Sequence, residues 1–333
     1  MKHKLQDALQ GHARSVRAFR STIRWVLTAG LLTVTVWLIS NQEPDFLSEV
    51  ALDWRFLVPA TWLLVLYTIL VSERFRILTQ LYQGRNDLSV RAFLRSLIVS
   101  RVLNGILPQA GNVYRASHLL NRIGLPWSGY LTIVMAGMVI DLIVIILVFG
   151  VILIDSHLFR IGLLHFDPRS HSGTLTLTAS ATVISVFLGI HLGKKHRKSR
   201  CPAQRTTGEK PVAALYRSIL SRRNFPGLLL QSLVTITLLG TVLWLILLGM
   251  GFNPGLLGAA TLLVAARLTQ YIVITPGNLG VRELIYAAIG SQLAIGIGAA
   301  VSASILLRIM NWVVLGLLLL FSEGLSSCRG KRS

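Results

Sequence analysis

Six long apolar runs dominate the amino-acid sequence, and they limit the possible folds more than any other feature. A helix needs roughly 17–25 mostly apolar residues to cross a bilayer. The runs reach or approach that length, which predicts an all-α, polytopic integral membrane protein with six spanning helices. The predicted spans are Trp25–Ser40, Phe56–Ser72, Tyr130–Ile154, Thr174–Gly193, Gly227–Gly251 and Ala299–Phe321.

Composition excludes the main soluble alternatives. Hydrophobic residues make up 53% of the chain and charged residues 14%, whereas soluble domains carry about 25% charged residues. A net charge of +20 would suggest nucleic-acid binding in a soluble protein. Here the basic residues lie between the apolar runs, as in the positive-inside pattern of membrane proteins. The two cysteines, Cys201 and Cys328, lie in basic segments predicted to be cytoplasmic, which excludes a secreted disulfide scaffold.

Loop charges predict the orientation of these spans. The N-terminal tail 1–24 holds six Lys/Arg and the loop 194–226 holds ten, each with a single acidic residue. In contrast, the loop 41–55 is acidic and the loop 155–173 is balanced. Because loops rich in Lys and Arg stay in the cytoplasm, both termini are predicted to be cytoplasmic, and the two loops poor in Lys and Arg are predicted to be outside.

The domain organisation follows from this orientation. We expect one transmembrane domain over residues 25–321 and a cytoplasmic tail over 322–333. The composition fits a bacterial cytoplasmic (inner) membrane, and an archaeal membrane would look similar. The basic leader before the first run could belong to a signal peptide, but residues 41–44 (Asn-Gln-Glu-Pro) lack a small-residue cleavage site. We therefore predict an uncleaved first helix.

Two further regions are predicted to enter and leave the membrane on the same side. Segment 73–95 carries five arginines, so it should be a cytoplasmic loop, as should the stretch before Tyr130. The region at about 97–121 lies between them, and its apolar run covers only half of the bilayer before a proline. In the second half of the chain, 256–298 would enter and leave on the outer side. Its charges favour a re-entrant pair of helices, although two full spans stay open as an alternative.

The two interrupted regions carry similar motifs. Each has an arginine on the incoming limb, a break rich in Pro and Gly, and an arginine just after it. Proline lacks a backbone donor and glycine is permissive, so both breaks should interrupt a helix. Broken helices that enter from opposite faces are typical of transporters with inverted repeats, although Pro/Gly breaks also recur by chance. The motif residues are Arg101, Pro108, Gly111, Asn112 and Arg115 in the first region, and Arg267, Pro276, Gly277, Asn278, Gly280 and Arg282 in the second.

At these residues the sequence resembles a known family. The stretches Leu107-Pro108-x2-Gly111-x3-Arg115 and Pro276-Gly277-Asn278-Leu279-Gly280-Val281-Arg282-Glu283, with Arg308 in the final helix, are similar to the transmembrane region of lysylphosphatidylglycerol synthases. That region also occurs alone, in proteins described as flippase-like, and the resemblance extends from about Phe56 to Phe321. It implies a polytopic helical fold with re-entrant segments and the translocation of lipids or lipid-linked molecules between leaflets.

The sequence departs from this family in two respects. Many members carry a Glu-Arg pair ahead of the aspartate that corresponds to Asp141, whereas Gly137 and Met138 occupy those positions here. Full-length synthases also add a soluble aminoacyl-transferase domain, and this chain continues for only twelve residues after Phe321. We therefore expect the stand-alone, non-enzymatic form.

The ionisable residues within the membrane form the predicted substrate-binding site. Each costs at least about 2.5–3.5 kcal/mol on insertion scales, so each should face a cavity or a partner. Arginines outnumber acids five to two, and the guanidinium fork suits phosphate and carboxylate. The helix starting near Val281 adds free N–H groups. The predicted ligand is an anionic phospholipid or a polyprenyl-phosphate-linked molecule. The residues are Arg101, Arg115, Asp141, Arg267, Arg282, Glu283 and Arg308.

A purely structural role for these charges is the main alternative. Glu283 could pair with Arg308 or Arg267, and Asp141 with Arg101, as bonds between helices. The arginines of the first motif could also extend to the lipid headgroups. The asparagines that flank the breaks are expected to bond freed backbone carbonyls; they are Asn104, Asn112 and Asn278.

Two other functions compete with lipid translocation. A glycosyl- or acyltransferase using a lipid carrier would need paired carboxylates or a His–carboxylate pair. The loop 155–173 has three histidines and two aspartates, but their spacing matches no metal site. A non-catalytic partner of a lipid-modifying enzyme is the other alternative. No phosphate-binding loop for ATP is present in the sequence, and no cofactor, metal or nucleic acid is expected.

Overall fold

Eight α-helices form the regular structure of the residues that the computed structural model describes: 30, 33, 52–84, 88–106, 109–160, 219, 221, 224–268, 280–293 and 295–327. For residues 106, 153–160 and 322–327 only the backbone is described. The helices are α1 (Trp54–Gln83), α2 (Val90–Ile106), α3 (Ala110–Ile123), α4 (Trp127–Arg160), α5 (Phe225–Gly249), α6 (Gly255–Leu268), α7 (Val281–Gln292) and α8 (Ile297–Ser327).

Four of the predicted spans correspond to helices that are long and apolar enough to cross a membrane. These are Trp54–Gln83, Trp127–Ile152, Phe225–Gly249 and Ile297–Phe321. The fold is therefore that of an all-helical, multi-pass membrane protein, as predicted. The other two predicted spans, Trp25–Ser40 and Thr174–Gly193, lie outside the described residues.

Two predicted loop boundaries are wrong. The segment 73–95 was expected to be a cytoplasmic loop, but α1 continues to Gln83 and ends at Gly84, which adopts a left-handed conformation with φ 68°. Arg74 and Arg76 are buried in this extension, because carboxylates within the fold neutralise them. Likewise, α4 continues to Arg160 and includes the first residues of the predicted outer loop.

Pairs of shorter helices occupy both interrupted regions. α3 has 14 residues and α7 has 12, so at 1.5 Å per residue they extend about 21 and 18 Å, less than the roughly 30 Å hydrocarbon core. Between α2 and α3, Gln109 has a φ of 67°, and Asn104 Oδ1 accepts a hydrogen bond of 2.8 Å from Gly111 N. Asn104 therefore satisfies a freed N–H, whereas a freed carbonyl was expected. Pro108, Pro276, Gly277 and Asn278 lie outside the described residues.

The order and packing of the helices repeat in the two halves. Each half has a long helix, two shorter helices and another long helix. α1 packs against α5, and the shorter helix α2 packs on α8 just as α6 packs on α4. Every other packing contact between two helices also has an equivalent contact when the helices of one half are exchanged for those of the other. The described helices of the two halves thus share the same pattern of packing partners.

α5 forms the centre of the bundle. Its most apolar window is 83% buried within the protein, whereas the other three long helices bury 28% of theirs. Val242, Leu243, Ile246 and Leu247 on α5 are completely inaccessible. In contrast, Trp62 on α1 is 70% exposed, as expected for a side chain that faces lipid. Polar residues of the outer helices, such as Arg74 on α1 and Asp141 on α4, therefore lie beside the central α5.

Close packing at the first break leads to a stability prediction. A Cβ atom at Gly111 would lie 1.8 Å from the carbonyl oxygen of Ser100 on α2. We expect Gly111→Ala to lower the free energy of unfolding by about 1–3 kcal/mol, because α3 must move away from α2. Thermal unfolding of the purified protein in detergent measures this effect.

Gly137 on α4 offers a matched control for this substitution. A Cβ atom there would meet Leu78 Cδ1 at 3.6 Å, an ordinary van der Waals contact. Gly137→Ala should leave the Tm unchanged or raise it slightly. Equal Tm values for the two variants would contradict the close packing of α2 and α3.

Candidate functional site

A polar cavity of about 270 Å³ lies between α1, α2, α4, α5 and α6. Two of these helices are the shorter ones that bear the arginine of each incoming limb. The lining combines charged, aromatic and aliphatic side chains. The residues are Tyr67, Val71, Arg74, Arg101, Met138, Asp141, Ile145, Thr235, Ile236 and Arg267.

One wall of the cavity is formed by an ion pair between α1 and α4. Both Nη atoms of Arg74 donate to the carboxylate of Asp141, and the Nη2–Oδ2 distance is 2.7 Å. The hydroxyl of Ser232 on α5 also donates to Asp141. Asp141 was expected to pair with Arg101, and the structure corrects this because α1 extends far enough to place Arg74 opposite the carboxylate.

The opposite part of the cavity brings together the arginines of the two motifs. Arg267 Nη2 donates to the Tyr67 hydroxyl at 2.7 Å, and Arg101 Nη2 lies 3.5 Å from the same oxygen. Both guanidinium groups also lie near the tyrosine ring, with their carbon atoms 5.2 Å (Arg101) and 5.7 Å (Arg267) from its centroid. Arginines from the two halves of the chain thus converge on one buried tyrosine.

The cavity lining carries an excess of positive charge. Three arginines and one carboxylate line it, and that carboxylate is engaged by Arg74 and Ser232. Of the seven residues predicted to bind substrate, the structure places Arg101, Asp141 and Arg267 here. An arrangement of this kind, at the depth of the spanning helices, attracts a phosphate or carboxylate group.

Three other predicted residues form a separate cluster between α7 and α8. Glu283 is 1% exposed, and its Oε1 lies 3.0 Å from Arg308 Nε. The same carboxylate accepts hydrogen bonds from Ser304 Oγ at 3.2 Å and from Gly280 N at 2.8 Å. The Glu283–Arg308 pair is one of the two pairings expected from the sequence if the charges are structural. Arg282 lies beside it, with Nη2 3.3 Å from the Tyr286 hydroxyl.

Arg115 occupies a third position, on α3. Its guanidinium carbon lies 3.5 Å from the centroid of the Phe75 ring, and the residue is buried. Nε and Nη2 of Arg115 have no hydrogen-bond partner among the described residues. The seven predicted residues are therefore distributed over three neighbouring places.

Sequence reasoning missed Tyr67, Arg74 and Ser232. A usable signal was present on α1, where Tyr67, Val71 and Arg74 have the spacing i, i+4, i+7 of one helix face, and all three line the cavity. Ser232 carried no such signal, because it is one of several small polar residues in a mainly apolar helix.

Metal binding has no support within the described part of the chain. No group of three His, Cys, Asp or Glu side chains that could hold a metal ion occurs there. His118 on α3 stacks on Tyr114, with the ring centroids 5.7 Å apart. Burial and the nearby Arg122 and Arg95 lower the pKa of His118. Of the predicted loop 155–173, the structure describes only residues 155–160, and for these only the backbone, which is helical.

Comparison with known proteins identifies the family. Residues 23–318 match the family model described as "Lysylphosphatidylglycerol synthase TM region". Searches of curated proteins and of solved structures found no match. The match includes three candidate spans in full and the fourth as far as residue 318, together with the cavity and both interrupted motifs. It agrees with the resemblance seen in the motif residues. This chain therefore belongs to the family of the lysylphosphatidylglycerol synthase transmembrane region.

Proposed function

We propose that this protein translocates an anionic phospholipid or lipid-linked intermediate between the leaflets of the cytoplasmic membrane. The observation that carries the proposal is the cavity among the spanning helices, where three arginines face one carboxylate. Charges at this depth are costly, so such residues usually mark a substrate pathway or pair with one another. Here Arg74 is paired with Asp141, while the arginines of the two motifs converge on the hydroxyl of Tyr67.

The size of the cavity supports a headgroup site. Pockets that enclose a drug-sized ligand measure about 300–1,000 Å³, and this cavity measures about 270 Å³. A phosphate-bearing headgroup fits within that volume, whereas a complete phospholipid does not. The acyl chains would therefore stay in the bilayer while the arginines hold the headgroup.

The repeated packing supports a transport mechanism. We propose that the two halves are inverted repeats, that α2/α3 and α6/α7 are re-entrant pairs, and that both termini are cytoplasmic. Each shorter helix that bears a cavity arginine packs on a long helix of the other half. In transporters of this plan, one repeat moves against the other around a site near the midplane.

Two of the remaining predicted residues, Arg115 and Arg282, would contact the headgroup along its path. Arg115 keeps Nε and Nη2 without a partner in the described structure, and Arg282 keeps Nε, so these groups can donate to an anion. Glu283 and Arg308 would hold α7 in position beside that path.

The cavity fits a transport role better than it fits catalysis of a transfer reaction. General acid–base catalysis requires a carboxylate or histidine that is within reach of the substrate and has a suitable proton affinity. The carboxylate of Asp141 is already bound by two donors. We therefore propose transport without covalent chemistry by this chain.

A reconstituted system tests the proposal. The purified full chain is incorporated into phosphatidylcholine vesicles that carry an acyl-labelled fluorescent phosphatidylglycerol or phosphatidic acid. Bleaching of the outer leaflet by dithionite then measures how fast label crosses the bilayer. We expect faster crossing of anionic label than of labelled phosphatidylcholine.

Two outcomes would contradict the proposal. Equal rates for protein-containing and protein-free vesicles would argue against translocation by this chain alone. A rate that rises only when a second membrane protein is added would favour a partner of a lipid-modifying enzyme.

A further inference from the structure

Tyr67 connects the two halves of the protein at the cavity. It lies on α1, is 7% exposed, and its hydroxyl oxygen is close to Nη2 of both Arg101 and Arg267. Those arginines occupy corresponding positions in the two motifs, on the limb before each break. The hydroxyl of Tyr67 thus contacts the corresponding arginine of each half.

The geometry brings two cations unusually close together. Because their Nη2 atoms lie 3.5 and 2.7 Å from one oxygen, these nitrogens are separated by no more than about 6 Å. Charge-assisted N–H···O bonds are about 2.7–2.9 Å long, so one phosphate group can accept from both guanidinium groups at this separation. The tyrosine hydroxyl and ring contact both guanidinium groups and so help to hold the two like charges at this spacing.

We infer that Tyr67 is a positioning residue that joins Arg101 and Arg267 into one clamp for a terminal phosphate group on a lipid. The inference rests on the proposed function and adds the substrate class and the residue that arranges the site. The phosphate oxygens take hydrogen bonds from both arginines, and Tyr67 sets the spacing between them.

The charge of the lining favours a terminal phosphate over a phosphodiester. Three arginines and one carboxylate give the lining a formal charge of +2. A phosphomonoester carries about −1.5 to −2 at pH 7, whereas a phosphodiester carries a single negative charge. A lipid with a terminal phosphate therefore matches the formal charge of the lining more closely than a phosphodiester does.

Binding of two defined lipids tests the inference. The full chain in detergent is titrated with dioleoyl phosphatidic acid, a phosphomonoester, and with dioleoyl phosphatidylglycerol, a phosphodiester, and binding is followed by native mass spectrometry. We expect the wild type to prefer phosphatidic acid. Tyr67→Phe keeps the ring but removes the hydroxyl, and should lower the affinity for phosphatidic acid by about 3–10-fold.

A thermodynamic cycle separates positioning from a merely structural role. In the wild type, Arg101→Gln and Arg267→Gln should have non-additive effects on phosphatidic acid affinity, because one ligand is held by both. In the Tyr67→Phe background their effects should become additive. Loss of thermal stability without any change in affinity or in this coupling would overturn the inference.

Tyr130→Phe is a matched control. Tyr130 is also a buried tyrosine, and its hydroxyl makes one hydrogen bond, of 3.2 Å to Asn112 Oδ1. It does not line the cavity, so its substitution should leave the preference for phosphatidic acid intact. A loss equal to that of Tyr67→Phe would overturn the inference.

A second variant keeps the test decisive if Tyr67→Phe fails to fold. Arg101→Lys retains the positive charge but loses the guanidinium fork, and should also lower phosphatidic acid affinity by about 3–10-fold. Unchanged affinity in this variant would overturn the clamp.

The failure of the inference and the failure of the proposed function give different results. If the wild type binds both anionic lipids and substitution of the arginines lowers the affinity but Tyr67→Phe does not, only the inference fails. If the wild type binds neither lipid, the proposed function fails with it.

Discussion

Arg267→Gln is expected to slow the crossing of anionic lipid label by about 10–100-fold, because a hydrogen bond to a charged group is worth about 1.5–3 kcal/mol. Arg267 lines the cavity and donates to Tyr67 at 2.7 Å. Glutamine retains a donor but removes the cation and the planar fork. The vesicle assay with dithionite measures the rate, and Arg101→Gln should produce a loss of the same order.

Arg91→Gln controls for the removal of an arginine. Arg91 lies on α2, the helix that carries Arg101, but its side chain is exposed and does not line the cavity. Its substitution should change the rate by less than twofold, since exposed charges contribute about 0–1 kcal/mol. If Arg267→Gln and Arg91→Gln transported at the same rate, the cavity would not be the headgroup site.

Glu283→Gln is expected to cause the largest loss of stability, about 3–5 kcal/mol, because it leaves a cation in the interior without its carboxylate partner. Glu283 is 1% exposed and lies 3.0 Å from Arg308 Nε. Its carboxylate also accepts from Gly280 N at the start of α7, so α7 should loosen as well. Thermal unfolding in detergent should show a fall in Tm of roughly 5–10 °C.

Two further variants identify the origin of that loss. Ser304→Ala removes one hydrogen bond of 3.2 Å to the same carboxylate and should cost only about 1 kcal/mol. Combining Glu283→Gln with Arg308→Gln removes the uncompensated cation and should recover part of the Tm. A double variant less stable than Glu283→Gln would show that charge compensation is not the cause.

The extent of the helical fold could be predicted well from local properties of the chain. Hydropathy over about 20 residues reports on whether a segment can cross a membrane, and four described helices agree with the predicted spans. The boundary after Ser72 was wrong because Arg74 and Arg76 were counted as loop charges. Their partners, Asp141 and Glu73, neutralise them, and the first of these lies on another helix.

For the candidate site, the sequence could predict which charged residues lie in the membrane but not which of them contact one another. The rule that intramembrane charges face a cavity or a partner selected seven residues, and three of them, Arg101, Asp141 and Arg267, line one cavity. It did not select Tyr67, because a tyrosine in an apolar span is ordinary. The choice between Arg74 and Arg101 as the partner of Asp141 depends on helix packing, which the sequence pattern does not contain.

The sequence by itself determined the helical membrane class, the positions of four described spans, the two broken regions and the family. Each of these depends on hydrophobic length, on residues that break helices or on short motifs, and all are local in the chain. Only the tertiary structure decided which charges meet. Arg74 and Asp141 are 67 residues apart in the chain, and Tyr67 and Arg267 are 200 apart. Contacts over such separations are created when helices pack around α5, and that packing decides which arginine pairs with Asp141 and which arginines converge on Tyr67.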